Sequence, residues 1–281
     1  MKKSVYGIVT DKIIAQLDQG ISPWRKPWKT NWPINANSGR KYKGINPFLL
    51  MNSDVEYQDH RWLTYQGALK LNGKVRPGEK GSMVVLWIRN EDPDTNEAFF
   101  CLRYYTVFNV EQCDNLELLP LNEIQVISDA EKVWEEYKKE SGVRLKANAE
   151  FAAYSKVLDM IYMPTRNSFH SSNGYYGTLF HEAIHSTGHA ARLDRELKSI
   201  TSDECSYSNE ELVAEIGSSM LLATCGIFND SEVANSGAYI GSWLTRLKSD
   251  RKLVVMAAQK AQKAADYILG IKGIYEEHPE G

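Results

Sequence analysis

Residues 175–187 read Tyr175-Tyr-Gly-Thr-Leu-Phe-His181-Glu182-Ala183-Ile184-His185-Ser-Thr187. This stretch decides the architecture of the second half of the chain. Its apolar residues recur at helical spacing around an H-E-x-x-H pattern, which predicts a helix with both histidines on one face, a turn apart. Two imidazoles so placed reach a single Zn²⁺. Glu182, beside the first of them, projects toward the metal's open position, where it can take a proton from bound water. The competing reading is a buried helix with structural histidines, which the flanking apolar pattern fits equally well.

A zinc site needs a third protein ligand. The longer pattern H-E-x-x-H-x-x-G-x-x-H wants a histidine where Ala191 stands, although Gly188 is in place. His189 follows that glycine, where the helix is expected to break. Downstream, Glu211-Leu-Val-Ala-Glu215 sets two carboxylates a turn apart on a helix expected over 209–224. In a gluzincin-type arrangement Glu211 binds the metal and Glu215 accepts the ring N–H of a ligating histidine. Ser208-Asn209-Glu210-Glu211 also matches a capping box, which would give Glu211 a purely local role. The expected site is therefore one Zn²⁺ held by His181, His185 and Glu211, with Glu182 as base and Glu215 behind a ligand. Tyr207, Tyr239, His170 and Arg192 are all eligible to stabilise an oxyanion. A strand expected at Val157–Met163 would lie at the edge of the site and pair with an extended peptide.

Working outward, Val5, Ile8, Val9, Ile13, Ile14 and Leu17 predict a first helix, capped by Ser4 and stopped by Gly20. Pro23, Pro27, Pro33 and Pro47 then forbid long regular structure, and Pro47 can launch a short helix through Met51. Met83–Ile88 and Phe99–Val110 read as a hairpin around an Asp/Asn/Pro turn, and 114–127 as a linker. Further helices are expected at Asp129–Glu140 and Asp250–Leu269. The fold class is α+β in two domains: a small N-terminal α+β domain over 1–125 and a helix-rich domain over 126–281.

The 281 residues are 43% hydrophobic and 25% charged, an ordinary globular composition. Apolar runs such as Met83–Ile88 are far too short to cross a bilayer, and the opening lysines precede no signal-peptide core. Cys101, Cys113, Cys205 and Cys225 are widely spaced with no C-x-x-C pair, so reduced thiols in a cytoplasmic protein are expected. Residues 1–90 hold 15 Lys and Arg against 6 Asp and Glu, a balance of +9, and the rest 18 against 30, a balance of −12. Such segregation points to two domains with different partners. Within the basic half, Trp24, Arg25, Lys26, Trp28 and Lys29, then Arg40, Lys41, Tyr42, Lys43 and Asn46, interleave rings and cations. Indole faces can stack on any base while cations track phosphates, which suits single-stranded nucleic acid. The alternative is that the rings plug a small core and the cations are solvated.

The segments Pro23-Trp-x-x-Pro-Trp28 and Tyr42-x-Gly-Ile-Asn46 resemble the N-terminal domain of the ArdC-type antirestriction proteins. So do Trp62-Leu-Thr-Tyr-Gln66, Val75-Arg-x-Gly-Glu-Lys-Gly81 and Val107-Phe-Asn-Val-Glu-Gln112. Asp159-x-Ile-x-Met-Pro164, the run from His181 to Arg195, and Tyr239-Ile-x-x-Trp243 are similar to that family's zincin-like metallopeptidase domain. One departure is Ser186, which stands where the family pattern has tryptophan. The resemblance runs in order over nearly the whole chain. It implies a single-stranded-DNA-binding domain joined to a zinc peptidase-like domain, borne on plasmids and other mobile elements. It also implies shielding of incoming single-stranded DNA from restriction. The expected function is single-stranded-DNA binding with a zinc peptidase site acting on a protein or peptide; the alternative is a DNA-binding protector without peptidase activity, whose zinc is structural or vestigial.

Overall fold

Val9, Ile13 and Leu17 are spaced four apart and buried, so α1 (Val5–Leu17) presents one apolar stripe. The Ser4 hydroxyl accepts a bond from Gly7 N at 3.1 Å at its start, and Gly20 takes φ +75° just past its end. The computed structural model describes residues 3–24, 32–53, 55–91, 97–118, 130–195, 204–227 and 237–271, with the backbone alone at 204–208 and 237–240. Among these, residues of Met1–Asp11 and Trp28–Glu123 cluster into one compact unit, and residues of Lys12–Pro27 and Ile124–Gly273 into another. Residues 12–24 cluster with the second unit.

The first unit runs through β1 (Ile34–Asn35), α2 (Asn46–Met51), β2 (Arg61–Leu63), α3 (Tyr65–Lys70) and β3 (Lys74–Val75). It continues with β4 (Ser82–Glu91), β5 (Ala98–Asn109) and β6 (Cys113–Asp114). The sheet order is β1-β2-β5-β4, with β3 and β6 forming a separate pair. The expected hairpin is the β4–β5 ribbon, in antiparallel register from Ser82↔Val107 to Glu91↔Ala98. Leu50, Trp62, Val84 and Val107 form its core, against which Tyr42, Tyr57 and Tyr105 pack.

The second unit adds α4 (Ala130–Ser141), β7 (Arg144–Lys146), β8 (Ala153–Ser155), β9 (Met160–Tyr162), α5 (Ser172–Thr187), α6 (Glu204–Thr224), α7 (Gly237–Ser249) and α8 (Leu253–Ile268). The strand expected at Val157–Met163 is the shorter β9. It lies in the middle of the order β7-β9-β8, not at an edge, because both neighbours use its backbone groups. Val157 is 94% exposed in the preceding turn. The outer strand next to α5 is instead β8.

Helices α5 and α6 approach closely because Gly217 has no side chain. A Cβ there would sit 2.7 Å from Ile184 Cδ1. Helix α8 turns Ala257, Ala258, Ala261, Ala264 and Ala265 inward, small residues that admit the same closeness. Ser186, the departure from the family pattern, is fully buried with its hydroxyl 2.7 Å from that of Tyr137, a contact tryptophan could not make. Trp24 is fully buried too, edge-on to Trp243 at 5.4 Å, and its carbonyl accepts from the Ser219 hydroxyl. No helix among the described residues is long and apolar enough to cross a membrane.

Candidate metal centre

Helix α5 places His181 and His185 one turn apart, with their Nε2 atoms 3.2 Å from each other. Helix α6 begins at Glu204, earlier than expected, so Glu211 lies two turns inside it. The capping-box role thus falls away, and the side chain is free to reach α5. Glu211 Oε2 lies 3.3 Å from His181 Nε2, and Oε1 lies 3.2 Å from His185 Nε2. Four ligands about 2.0–2.1 Å from a tetrahedral metal sit about 3.3 Å from one another. The two imidazole nitrogens stand at that spacing, each with one of the two Glu211 oxygens, and one donor atom from each residue lies within 4.8 Å of the others; the residue types fit a divalent cation with one position left open.

The electrostatics are those of a ligand cluster. Burial opposes a charge on His185, but Glu210 and Glu211 outweigh it and lift its pKa to about 10. Burial likewise opposes charge on Glu211, yet His181 and His185 hold it well below the usual carboxylate range. These groups hold either a proton or a metal, because a histidine ligand must be deprotonated.

Glu182 is buried at 8% exposure, next to His181 in sequence and close enough to act on His185 electrostatically. Glu215 is also buried, with Oε1 3.7 Å from His181 Nδ1. Sequence reasoning missed a counterpart. Glu210 Oε1 lies 3.7 Å from His185 Nδ1 and is paired with Arg195 at 2.7 Å. The signal was the Glu210-Glu211 doublet, which on a helix aims its two carboxylates about 100° apart. Among the oxyanion candidates, Arg192 is committed elsewhere. It is buried against Asp159, the Tyr154 hydroxyl and the carbonyls of Ser141 and Ser186. His170 is exposed, and the Tyr207 and Tyr239 side chains lie outside the described residues.

Among the described residues of the basic aromatic segment, Trp24 and Asn46 face inward. The Trp24 ring has no exposed face. Asn46 is spent on the sheet: its amide donates to Val85 O at 2.8 Å and its oxygen accepts from Val85 N at 2.7 Å. Tyr42 packs on the core of the first unit, and burial lowers the pKa of the half-buried Lys41. Arg40 is exposed and Lys43 half-buried, while Arg25, Lys26, Trp28 and Lys29 lie outside the described residues. Exposed rings occur on β5 at Phe100 (59% exposed) and Tyr104 (54%), on the same face of the strand, and exposed Arg103 lies on its other face.

Residues 3–108 match the N-terminal domain of the anti-restriction factor ArdC, and residues 132–260 match a zincin-like metallopeptidase domain. A crystal structure of the antirestriction protein ArdC from plasmid R388, bound to Mn(II), superposes with a TM-score of 0.79. It is 39% identical, with 98% of this chain and 100% of that one covered. The chain belongs to the ArdC-type antirestriction family. The metal-free R388 structure agrees at a TM-score of 0.78 and 40% identity, covering 96% of this chain and 98% of that one. A DNA primase TraC of Escherichia coli is 36% identical over 96% of this chain, which spans only 20% of that relative's length. An uncharacterized protein of Sinorhizobium fredii is 31% identical, over 94% of this chain and 91% of its own length. The family thus joins an ArdC N-terminal domain to a zincin-like domain.

Proposed function

We propose that the chain is a single-stranded-DNA-binding antirestriction protein of a mobile element, acting in the cytoplasm, with a zinc-dependent peptidase site in its second unit. The observation that carries the reading is the His181–His185–Glu211 triangle with Glu182 buried beside it. Two imidazoles and a carboxylate are a zinc donor set, and one ion fills it. When bound, zinc lowers the pKa of its water to about 7 and polarises a carbonyl. Glu182 takes a proton from the attacking water and passes it to the leaving amine. Glu215 steadies the His181 ring from the Nδ1 side. Strand β8 offers an open edge beside α5 on which an extended peptide can add as a further strand. In the first unit, exposed Arg40 and Arg103 are the cations proposed to meet phosphates, and exposed Phe100 and Tyr104 the rings proposed to stack on bases.

The test is Glu182→Gln in the full chain. Zinc content and single-strand affinity should stay near wild type while peptide hydrolysis falls about 10²–10⁴-fold. Hydrolysis unchanged in that variant would refute the role of Glu182. Absence of hydrolysis in the wild type, with DNA shielding intact, would leave a protector with a non-catalytic metal.

A further inference from the structure

Arg195 lies beyond the end of α5, outside the H-E-x-x-H pattern, yet its side chain is only 10% exposed. Its guanidinium spreads its donors over two helices. Nη1 donates to Thr187 Oγ1 at 2.6 Å and Nη2 to the Ile184 carbonyl at 2.7 Å, both in the last turn of α5. Nη2 also donates to Glu210 Oε1 at 2.7 Å, and Nε to Glu210 Oε2 at 3.3 Å. Glu210 is itself nearly buried, at 13% side-chain exposure, and faces His185 Nδ1 across 3.7 Å. At that separation the carboxylate charge acts on the polar Nδ1–H edge of the ring without a direct hydrogen bond, so Glu210 steers the ring by charge.

We propose that Arg195 is a positioning residue for the metal centre. It fixes Glu210 against His185 Nδ1, so that His185 Nε2 stays turned toward Glu211 and His181. The proposal rests on the metal-binding reading of that triangle. A lysine could neutralise Glu210, but only the planar fork can grip both carboxylate oxygens and the α5 carbonyl together. The arrangement mirrors His181, whose Nδ1 faces Glu215; both carboxylates lie on α6 with the ligand Glu211, and Glu210 is in addition tied through Arg195 back to α5.

The experiment measures Zn²⁺ affinity of the full chain by chelator competition, the visible spectrum of the Co²⁺-loaded chain, and the melting temperature of the metal-stripped chain. Arg195→Met and Glu210→Gln should each weaken Zn²⁺ binding about 10–100-fold, the usual cost of losing a partner behind a metal-ligating histidine. Both should perturb the Co²⁺ spectrum. The double variant should bind about as weakly as the worse single one, since both act through one link. Arg195→Lys should recover part of the loss. A lowered melting temperature with wild-type Zn²⁺ affinity and an unchanged Co²⁺ spectrum would make Arg195 a mere tie on α5 and overturn the proposal. So would fully additive losses. Should Arg195→Met fail to fold, the near-isosteric Glu210→Gln decides by the same criteria. A wild type that binds no Zn²⁺ overturns the metal reading along with the proposal, whereas variants that match a Zn²⁺-binding wild type overturn the proposal alone.

Discussion

The metal centre and the segment Trp24–Asn46 are built in different ways. At the metal centre, two helices touching at Ile184 and Gly217 hold every donor, so ring positions follow from helical spacing. In the segment, three of the described rings find separate partners: Trp24 lies against Trp243, Trp32 is edge-on to Phe48 at 5.9 Å, and Tyr42 packs on the sheet core. A helix carries sequence spacing directly into space. An irregular loop leaves each side chain to the nearest cavity, so identical residue types end as plugs or as open faces.

The sharpest way to break this contrast is Trp24→Ala. If the indole is a plug, the variant loses about 3–5 kcal/mol of stability, as for other buried aromatic truncations, with single-strand affinity unchanged in whatever fraction stays folded. Denaturant unfolding and a binding titration on the same sample check both halves. Loss of affinity with full stability would restore the ring to a binding surface.

A somewhat smaller effect is expected at Asp159, which pairs with the buried Arg192 and accepts from the Tyr154 hydroxyl at 2.8 Å. Burial alone would raise the Asp159 pKa, but Arg192 and Tyr154 outweigh it and hold it below the usual range. Asp159→Asn strands a buried guanidinium and should cost about 3 kcal/mol, the low end for a broken buried pair because Asp159 is 28% exposed. Since the folded pKa is depressed, this stability is fully present above the unfolded value of about 3.9 and is lost as pH falls through the folded one. Unfolding measured from pH 7 downward should show the gap between variant and wild type closing only below about pH 4. A gap independent of pH would mean that the carboxylate's charge is not what matters.

The binding side of the contrast is sharpened by Tyr104→Ala. It should weaken single-strand binding by about 1–3 kcal/mol if the ring stacks one base. Arg40→Ala should lower the slope of log K against log salt by about 0.7, the share of one phosphate contact. Titrations at several salt concentrations read both, and an unchanged affinity in Tyr104→Ala moves the stacking surface off β5.

Helix α1, the β4–β5 ribbon and the H-E-x-x-H helix were legible in the sequence because each buries a periodic stripe or alternates between two faces. The place of β9 in its sheet was not, since β7 and β8 are three residues each and too short to show alternation. Glu210 escaped because its value lies in a contact with Arg195 on a separate element, which no local spacing encodes. Plugging by the loop's rings was an open alternative, but which partners would bury Trp24 could not be read, since they lie far along the chain.

That distance sets a schedule for synthesis. Ser219, whose hydroxyl meets the Trp24 carbonyl, follows it by 195 residues, so at about 5–20 residues per second the indole emerges roughly 10–40 s before its socket exists. Through that interval the first unit can finish folding while the tryptophan waits in solvent. Residues 28–123 of the first unit have thus left the ribosome before α5 and α6, which carry the metal centre, are made.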